Sequence, residues 1–280
     1  MVAYELTGVP LIGWRRAMVL QRLGIKSVSE LAQRDPSKLA SLHEIKACDG
    51  SFSAQIRLII NFARAIKLGK PIVVGIEEFI TKPSDSIYFL DLEYDPNTPI
   101  FIFGVMDLKG RITQSFLDQP NDRERLIHDF AEWIASEKPT FVTYASKAAD
   151  EPILYKSFNA LAISTNILKS IRFYDLFYDV IFPTSVGRQK IFLPIKPLTM
   201  KTVSDYFGYN EPHSLRICNG FAALSAYHEY LKSRRKELRD QLLFYNQCEL
   251  ERIRMIFEKL SEVFNKSIES REVKYCENES

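Results

Sequence analysis

Ser86-Ile87-Tyr88-Phe89-Leu90-Asp91-Leu92-Glu93-Tyr94 decides how the rest of this chain reads. Its apolar run, bounded by turn residues, has the signature of a buried β-strand. Two carboxylates, Asp91 and Glu93, break the run at a spacing of two, and side chains two apart on a strand share a face. Burying unpaired carboxylates is costly, and a metal ion is a common way of holding two of them together. An edge strand with a solvated acidic face fits the same pattern, so this stretch alone leaves both readings open.

Downstream, Asp95-Pro96-Asn97-Thr98-Pro99 is a turn. Strands follow over 100–107 and 111–117, the second after Lys109-Gly110. Asn121, with Glu124 behind it, caps a helix to about Glu137, which Lys138-Pro139 ends. A short strand is expected at 140–144, a helix at 148–158, a strand at 171–174, and helices over 198–207, 220–232 and 235–264. Three meandering strands followed by alternating helices and strands predict an α/β (α+β) domain with a mixed sheet flanked by helices. Residues 86–265 make this domain, 73–85 a linker, and 266–280 a polar tail expected to fray.

The 280 residues carry a net charge of +2, with 46% hydrophobic and 26% charged side chains, an ordinary globular composition. No run approaches the ~20 apolar residues of a membrane span, so no membrane association is expected. The first residues show no secretory pattern. Cys48, Cys218, Cys248 and Cys276, and His43, His128, His213 and His228, are dispersed. A zinc cluster or disulfide framework is therefore not expected, and a reducing, cytoplasmic setting fits.

Charge is unevenly spread. Residues 1–72 hold 11 Lys and Arg against 5 Asp and Glu, whereas the remainder holds 26 against 30. A basic module in front of a slightly acidic domain is the pattern of a polyanion binder attached to something else. Within 1–72 the periodicity gives short helices: Trp14–Leu23 stopped by Gly24, one opened by the Ser27/Glu30 capping box, one by Asp35-Pro36, and a longer one over 53–68 ended by Gly69. The stretches Val9-Pro10-Leu11-Ile12-Gly13-Trp14-Arg15-Arg16-Ala17 and Leu23-Gly24-Ile25-Lys26-Ser27-Val28 resemble tandem helix-hairpin-helix domains, which bind DNA without reading sequence. The resemblance implies backbone N–H groups on a phosphate, with Gly13, Arg15, Arg16 and Lys26 as the nucleic-acid-binding residues. Leu11 stands where the first hairpin glycine is usual, and the second copy, near Asp49-Gly50-Ser51, is more degenerate. A small helical bundle for protein contacts is the alternative.

Two further places carry acids. Asp150 follows the 140–144 strand, where a carboxylate can face back across the sheet, although an acid in a first helical turn is also ordinary. In the last helix, Leu238, Leu242, Tyr245, Glu249, Ile253 and Ile256 share a face, which places Glu249 in an apolar stripe or at its margin near Arg252. The order of these pieces over about 86–262 resembles the tyrosine subtype of the DEDD exonucleases, with a ribonuclease H-like fold. Asp91-Leu92-Glu93 matches the first motif and Asp150 the second. Tyr245-Asn246-Gln247-Cys248-Glu249 matches the third, and Phe173-Tyr174-Asp175-Leu176 and Gly220 fit the spacing.

The resemblance implies a phosphodiester hydrolase, a 3′–5′ exonuclease. Asp91, Glu93, Asp150 and Glu249 would hold two Mg²⁺ or Mn²⁺ ions, and Tyr245 would orient the attacking water. Nucleic acid would be the substrate, DNA ahead of RNA. Glu249 replaces the usual aspartate and Ala145 a common asparagine. A nuclease-fold protein weakened or inactive in catalysis, binding nucleic acid or acting as a scaffold, is the alternative, and a protein-binding adaptor a third.

Overall fold

The computed structural model describes residues 2–74, 86–95, 100–182 and 191–278. The expected turn at 95–99 falls largely, and the linker at 73–85 almost wholly, outside them. The chain forms two units, one of residues 1–79, 177–207 and 259–280, the other of 80–176 and 208–258. The first thus takes in two segments beyond the basic N-terminal region.

The first unit opens with α1 (Val2–Thr7), α2 (Trp14–Arg22), α3 (Val28–Ala32), α4 (Pro36–Ser41), α5 (His43–Cys48) and α6 (Phe52–Leu68), followed by the two-residue strand β1 (Ile72–Val73). The sequence signals act as expected. Ser27 Oγ accepts the Glu30 N–H at 3.1 Å while Glu30 Oε2 accepts the Lys26 N–H at 2.6 Å. Asp35 caps α4, and Gly69 ends α6 at φ 64°. Leu11, in the turn between α1 and α2, adopts a left-handed conformation at φ 68°. The α6 residues Phe52, Ile56, Ile59, Ile60 and Phe62 are buried against Leu6, Leu20, Leu31 and Ile45, and form the core of this unit.

Arg16 ties the unit together. Its Nε and Nη2 donate to Asp49 at 2.8 Å, Nη2 to Ser51 Oγ at 2.6 Å, and Nη1 to the Leu11 carbonyl and Gln55 Oε1 at 2.8 Å. All five guanidinium donors are used, and the Asp49 carboxyl is held well below the usual carboxylate range, chiefly by that bond. Lysine cannot span these acceptors. Arg16→Lys is therefore expected to cost about 1–2 kcal/mol in a urea melt. A midpoint equal to wild type would show the network to be idle.

The second unit is built on one five-stranded sheet. Its strands are β2 (Ile87–Tyr94), β3 (Ile100–Asp107), β4 (Ile112–Phe116), β5 (Thr140–Thr143) and β6 (Arg172–Asp175), in the order β4-β3-β2-β5-β6. β2–β4 form an antiparallel meander, and β5 and β6 join parallel, giving the mixed sheet expected. The crossover to β5 runs through α7 (Arg123–Glu137), and that to β6 through α8 (Asp150–Ala160) and α9 (Asn166–Lys169). Pro120–Asp122 form a 3₁₀ turn, so α7 starts after Asp122 rather than at Asn121. One face of the sheet packs Leu90, Phe101, Phe103 and Phe141 on Ile127, Phe130, Leu154 and Phe158.

Past a π-helical turn at Leu176–Ile181, β7 (Ile191–Phe192) pairs antiparallel with β1. Lys196 Nζ donates to the carbonyls of Thr7, Val9 and Ile12 at 2.6, 3.2 and 3.1 Å, and so holds the turn between α1 and α2. α10 (Met200–Tyr206), α11 (Gly220–Ser233) and α12 (Lys236–Asn278) complete the chain. α12 stays helical to Asn278, so the backbone past Lys266 is not the frayed tail expected.

Candidate active site

β2 is central to the sheet, and its C-terminal half carries the first two acids. Asp91, Glu93, Asp150 and Tyr245 line one pocket of about 370 Å³ with Tyr94, Gly220, Phe221 and Leu224. Three separate stretches of chain supply these groups: β2, the start of α8 and the N-terminal part of α12. Glu93, Asp150 and Glu249 are each under a tenth exposed.

Acids that share one pocket act on one another's protonation. Burial raises the Asp91 carboxyl well above the usual carboxylate range, and Glu93, Asp150 and Glu249 push it further. Glu93 is raised likewise, by burial and then by Glu249 and Asp150. Asp150 is pushed up to about 8, by burial first and then by Asp175 and Glu151. Burial, and then Glu249, Glu93 and Asp91, hold the Tyr245 hydroxyl far above its ordinary range, so it stays protonated and able to donate. Like charges crowded in a low-dielectric pocket favour protons or a cation.

Glu249 has a different immediate partner. The Arg252 guanidinium, 3% exposed, pairs with it and with Glu211 at 2.9 Å. Glu249 is therefore within electrostatic reach of Asp91 and Glu93 but is not a wall of the pocket. Among the described residues no three His, Cys, Asp or Glu side chains stand in the arrangement of a formed cation site. The donor chemistry of Asp91, Glu93 and Asp150 nonetheless fits a hard divalent cation.

Several supporting residues were not singled out from sequence. Asn246, fully buried, donates from Nδ2 to Asp91 Oδ2 at 2.8 Å, and its Oδ1 accepts from Gln114 at 2.8 Å. Gly104 lies directly opposite Asp91 on β3, and a Cβ there would stand 2.0 Å from Asn246 Oδ1. A lone glycine in an otherwise apolar strand marks such a close approach. Asp175, also fully buried, accepts the Ala145 and Lys147 N–H groups at 2.8 and 3.0 Å, and so shapes the loop that leads into Asp150. Phe221, 80% exposed, stands beside the acids on α11.

Ala145 sits at φ 60°. Left-handed backbone costs a residue with a Cβ about 1–2 kcal/mol, and asparagine tolerates it better. Ala145→Asn is accordingly expected to stabilise by about 0.5–1 kcal/mol, read as a higher urea midpoint. No gain would mean that the loop carries no strain.

The residues expected to bind nucleic acid lie in the first unit and divide. Gly13, the N-cap of α2, and Arg15 and Lys26 are exposed, whereas Arg16 is taken up internally by Asp49.

No curated protein matches the chain. Among solved structures, a family B DNA polymerase from the hyperthermophilic archaeon Pyrobaculum calidifontis is similar at 22% identity and a TM-score of 0.48, over 67% of this chain and 26% of that one. This chain therefore spans about a quarter of the polymerase, and so loose a likeness has no bearing on function. A family model described as RNase_H superfamily matches residues 88–261, more than half of the chain and every acid of the pocket. The chain belongs to the RNase H superfamily.

Proposed function

We propose that the second unit is a metal-dependent nuclease, a 3′–5′ exonuclease hydrolysing phosphodiester bonds, with DNA as its substrate. The observation that carries this reading is the convergence of Asp91, Glu93 and Asp150 on one pocket within electrostatic reach of Glu249. Asp91, Glu93 and Asp150 would hold two divalent ions, Mg²⁺ or Mn²⁺, with Glu249 as the fourth carboxylate once it shifts from Arg252. Bound ions of this kind stabilise the attacking and leaving oxygens of an in-line displacement. Tyr245, protonated at working pH, donates to and orients the attacking water. Asn246 keeps Asp91 in one rotamer. Phe221 and Leu224 give the pocket an apolar wall against which the face of a terminal base can lie. In the first unit, the turn between α1 and α2 with Gly13, Arg15 and Lys26 serves as a helix-hairpin-helix contact to phosphates.

The Glu249–Arg252 pair supports a second reading, a nuclease fold that binds nucleic acid with little or no chemistry. Incubating the protein with single- and double-stranded DNA and with RNA, each labelled at the 3′ or the 5′ end, in Mn²⁺ or Mg²⁺, separates the two. Cleavage that begins at the 3′ end and is lost in Asp91→Ala supports the exonuclease. Cleavage of no substrate, or cleavage unchanged in Asp91→Ala, overturns it. Under the second reading Glu249→Asp, whose shorter side chain reaches Arg252 less well, gains activity.

A further inference from the structure

We infer that the groove between α2 and α5 binds single-stranded nucleic acid by stacking a base on Trp14. This site is distinct from the acid pocket, shares Arg15 with the phosphate contact proposed for the hairpin turn, and rests on the reading of the chain as a nucleic-acid enzyme. Trp14 is 59% exposed, and Tyr4, 78% exposed, meets it edge-on with ring centroids 6.2 Å apart. Exposed aromatics of this size in contact, beside a cavity, mark an interaction surface. The groove holds about 530 Å³, with Met18, Val19 and Ala47 on its walls.

Charge decides the occupant. Arg15 and Arg22 line the groove, against Glu44. Among the described residues no carboxylate pairs with either arginine, in contrast to Arg16 one position along, whose donors are all used inside the unit. Trp14, Met18 and Arg22 recur every four residues and so follow one face of α2, placing ring, thioether and guanidinium in line. An aromatic platform flanked by guanidinium groups suits a base and its neighbouring phosphates, and it accepts any base because every base has a π face. The surplus of six positive charges over residues 1–72 favours a polyanion over an apolar protein partner. In a single strand the base faces are free to stack, whereas in a duplex they are covered.

The chain has two tryptophans, so its fluorescence tests this directly. Trp133 is packed among Tyr88, Phe130 and Phe141 in the other unit. The full chain is titrated with oligo-dT and, separately, oligo-U in EDTA, which removes any metal-dependent cleavage. The expected result is quenching of Trp14 emission by either oligomer. Anisotropy of a labelled oligomer should show affinity falling about tenfold or more in Trp14→Ala and largely kept in Trp14→Phe. Arg15→Gln and Arg22→Gln should each flatten the salt dependence, log K against log [salt], by about 0.7. The titration reads binding in EDTA, whereas the nuclease reading is judged by cleavage in Mn²⁺, so the two can fail separately. Unchanged affinity in Trp14→Ala overturns the proposal, as does burial of Trp14 by self-association without oligomer. Binding confined to duplex DNA also overturns it.

Discussion

Gly104→Ala is expected to destabilise the second unit by about 2–4 kcal/mol and to weaken Mn²⁺ binding about 10–100-fold. The added methyl would stand 2.0 Å from Oδ1 and 2.8 Å from Cγ of Asn246. Asn246 is fully buried and bonded on both ends of its amide, to Asp91 and to Gln114, so it has no alternative position at low cost. Either β3 moves away from β2 or the amide rotates out, leaving Asp91 to repel its neighbours without a donor on Oδ2. Asn246→Ala is milder, because it makes space and costs about 1–2 kcal/mol in lost hydrogen bonds. The two changes share one cause and must not add: with the amide gone, alanine at 104 fits, and the double variant should be no less stable than Gly104→Ala alone. Gly50→Ala, which meets nothing within 4 Å, is the control and should be near neutral. Urea denaturation of the four variants and calorimetric Mn²⁺ titration check this. Additive costs would mean that Gly104 is needed for some reason other than room for Asn246.

Much of this site is legible in sequence because its acids obey local periodicities. Asp91 and Glu93 are readable from a period of two on an apolar strand, and Glu249 from its place one turn past Tyr245 on an apolar helix face. What periodicity does not carry is a partner's identity. Arg252 lies in the same turn as Glu249, yet only the fold shows its guanidinium inside, facing Glu211 as well. Asn246 and Gly104 stand far apart in the chain, and their fit is a matter of shape, which hydropathy does not encode. Leu11 and Ala145 both fall at left-handed φ. Left-handed backbone favours glycine or asparagine, and neither position carries one, so residue type gives no sign of it. The β1–β7 pair was unreadable for another reason: two residues form no pattern, and their partners lie far away in the chain.

In EDTA the protein is expected to lose stability as pH rises from about 5 to 8, and Asp91→Asn should remove part of that loss while abolishing cleavage. The sign follows from proton binding. Asp150 is raised from its ordinary value to about 8, and Asp91 and Glu93 are raised as well, so over this interval the folded state holds more protons than the unfolded one. Stability falls with pH wherever the folded state is the better proton binder. Asp49, whose carboxyl is lowered instead, contributes stability that is lost only as pH falls below the ordinary aspartate range, outside this window. The melting temperature in EDTA should therefore drop by roughly 5 °C or more between pH 5 and 8. In Asp91→Asn the drop should shrink, because one of the mutually repelling carboxylates is gone while the Asn246 amide still has an oxygen to donate to. Cleavage should fall by at least about 10²-fold, since an amide is a poor ligand for a hard cation. Mn²⁺ should raise the wild-type melting temperature more at pH 8 than at pH 5, because carboxylates bind a cation only after losing their protons. Such a pocket would trade stability of the empty protein for affinity for a cation. Scanning fluorimetry over this pH range, with and without Mn²⁺, measures all three effects. A flat profile in EDTA would mean that the acids are already neutralised within the protein, with Arg252 as the available cation, and would favour the reading without chemistry.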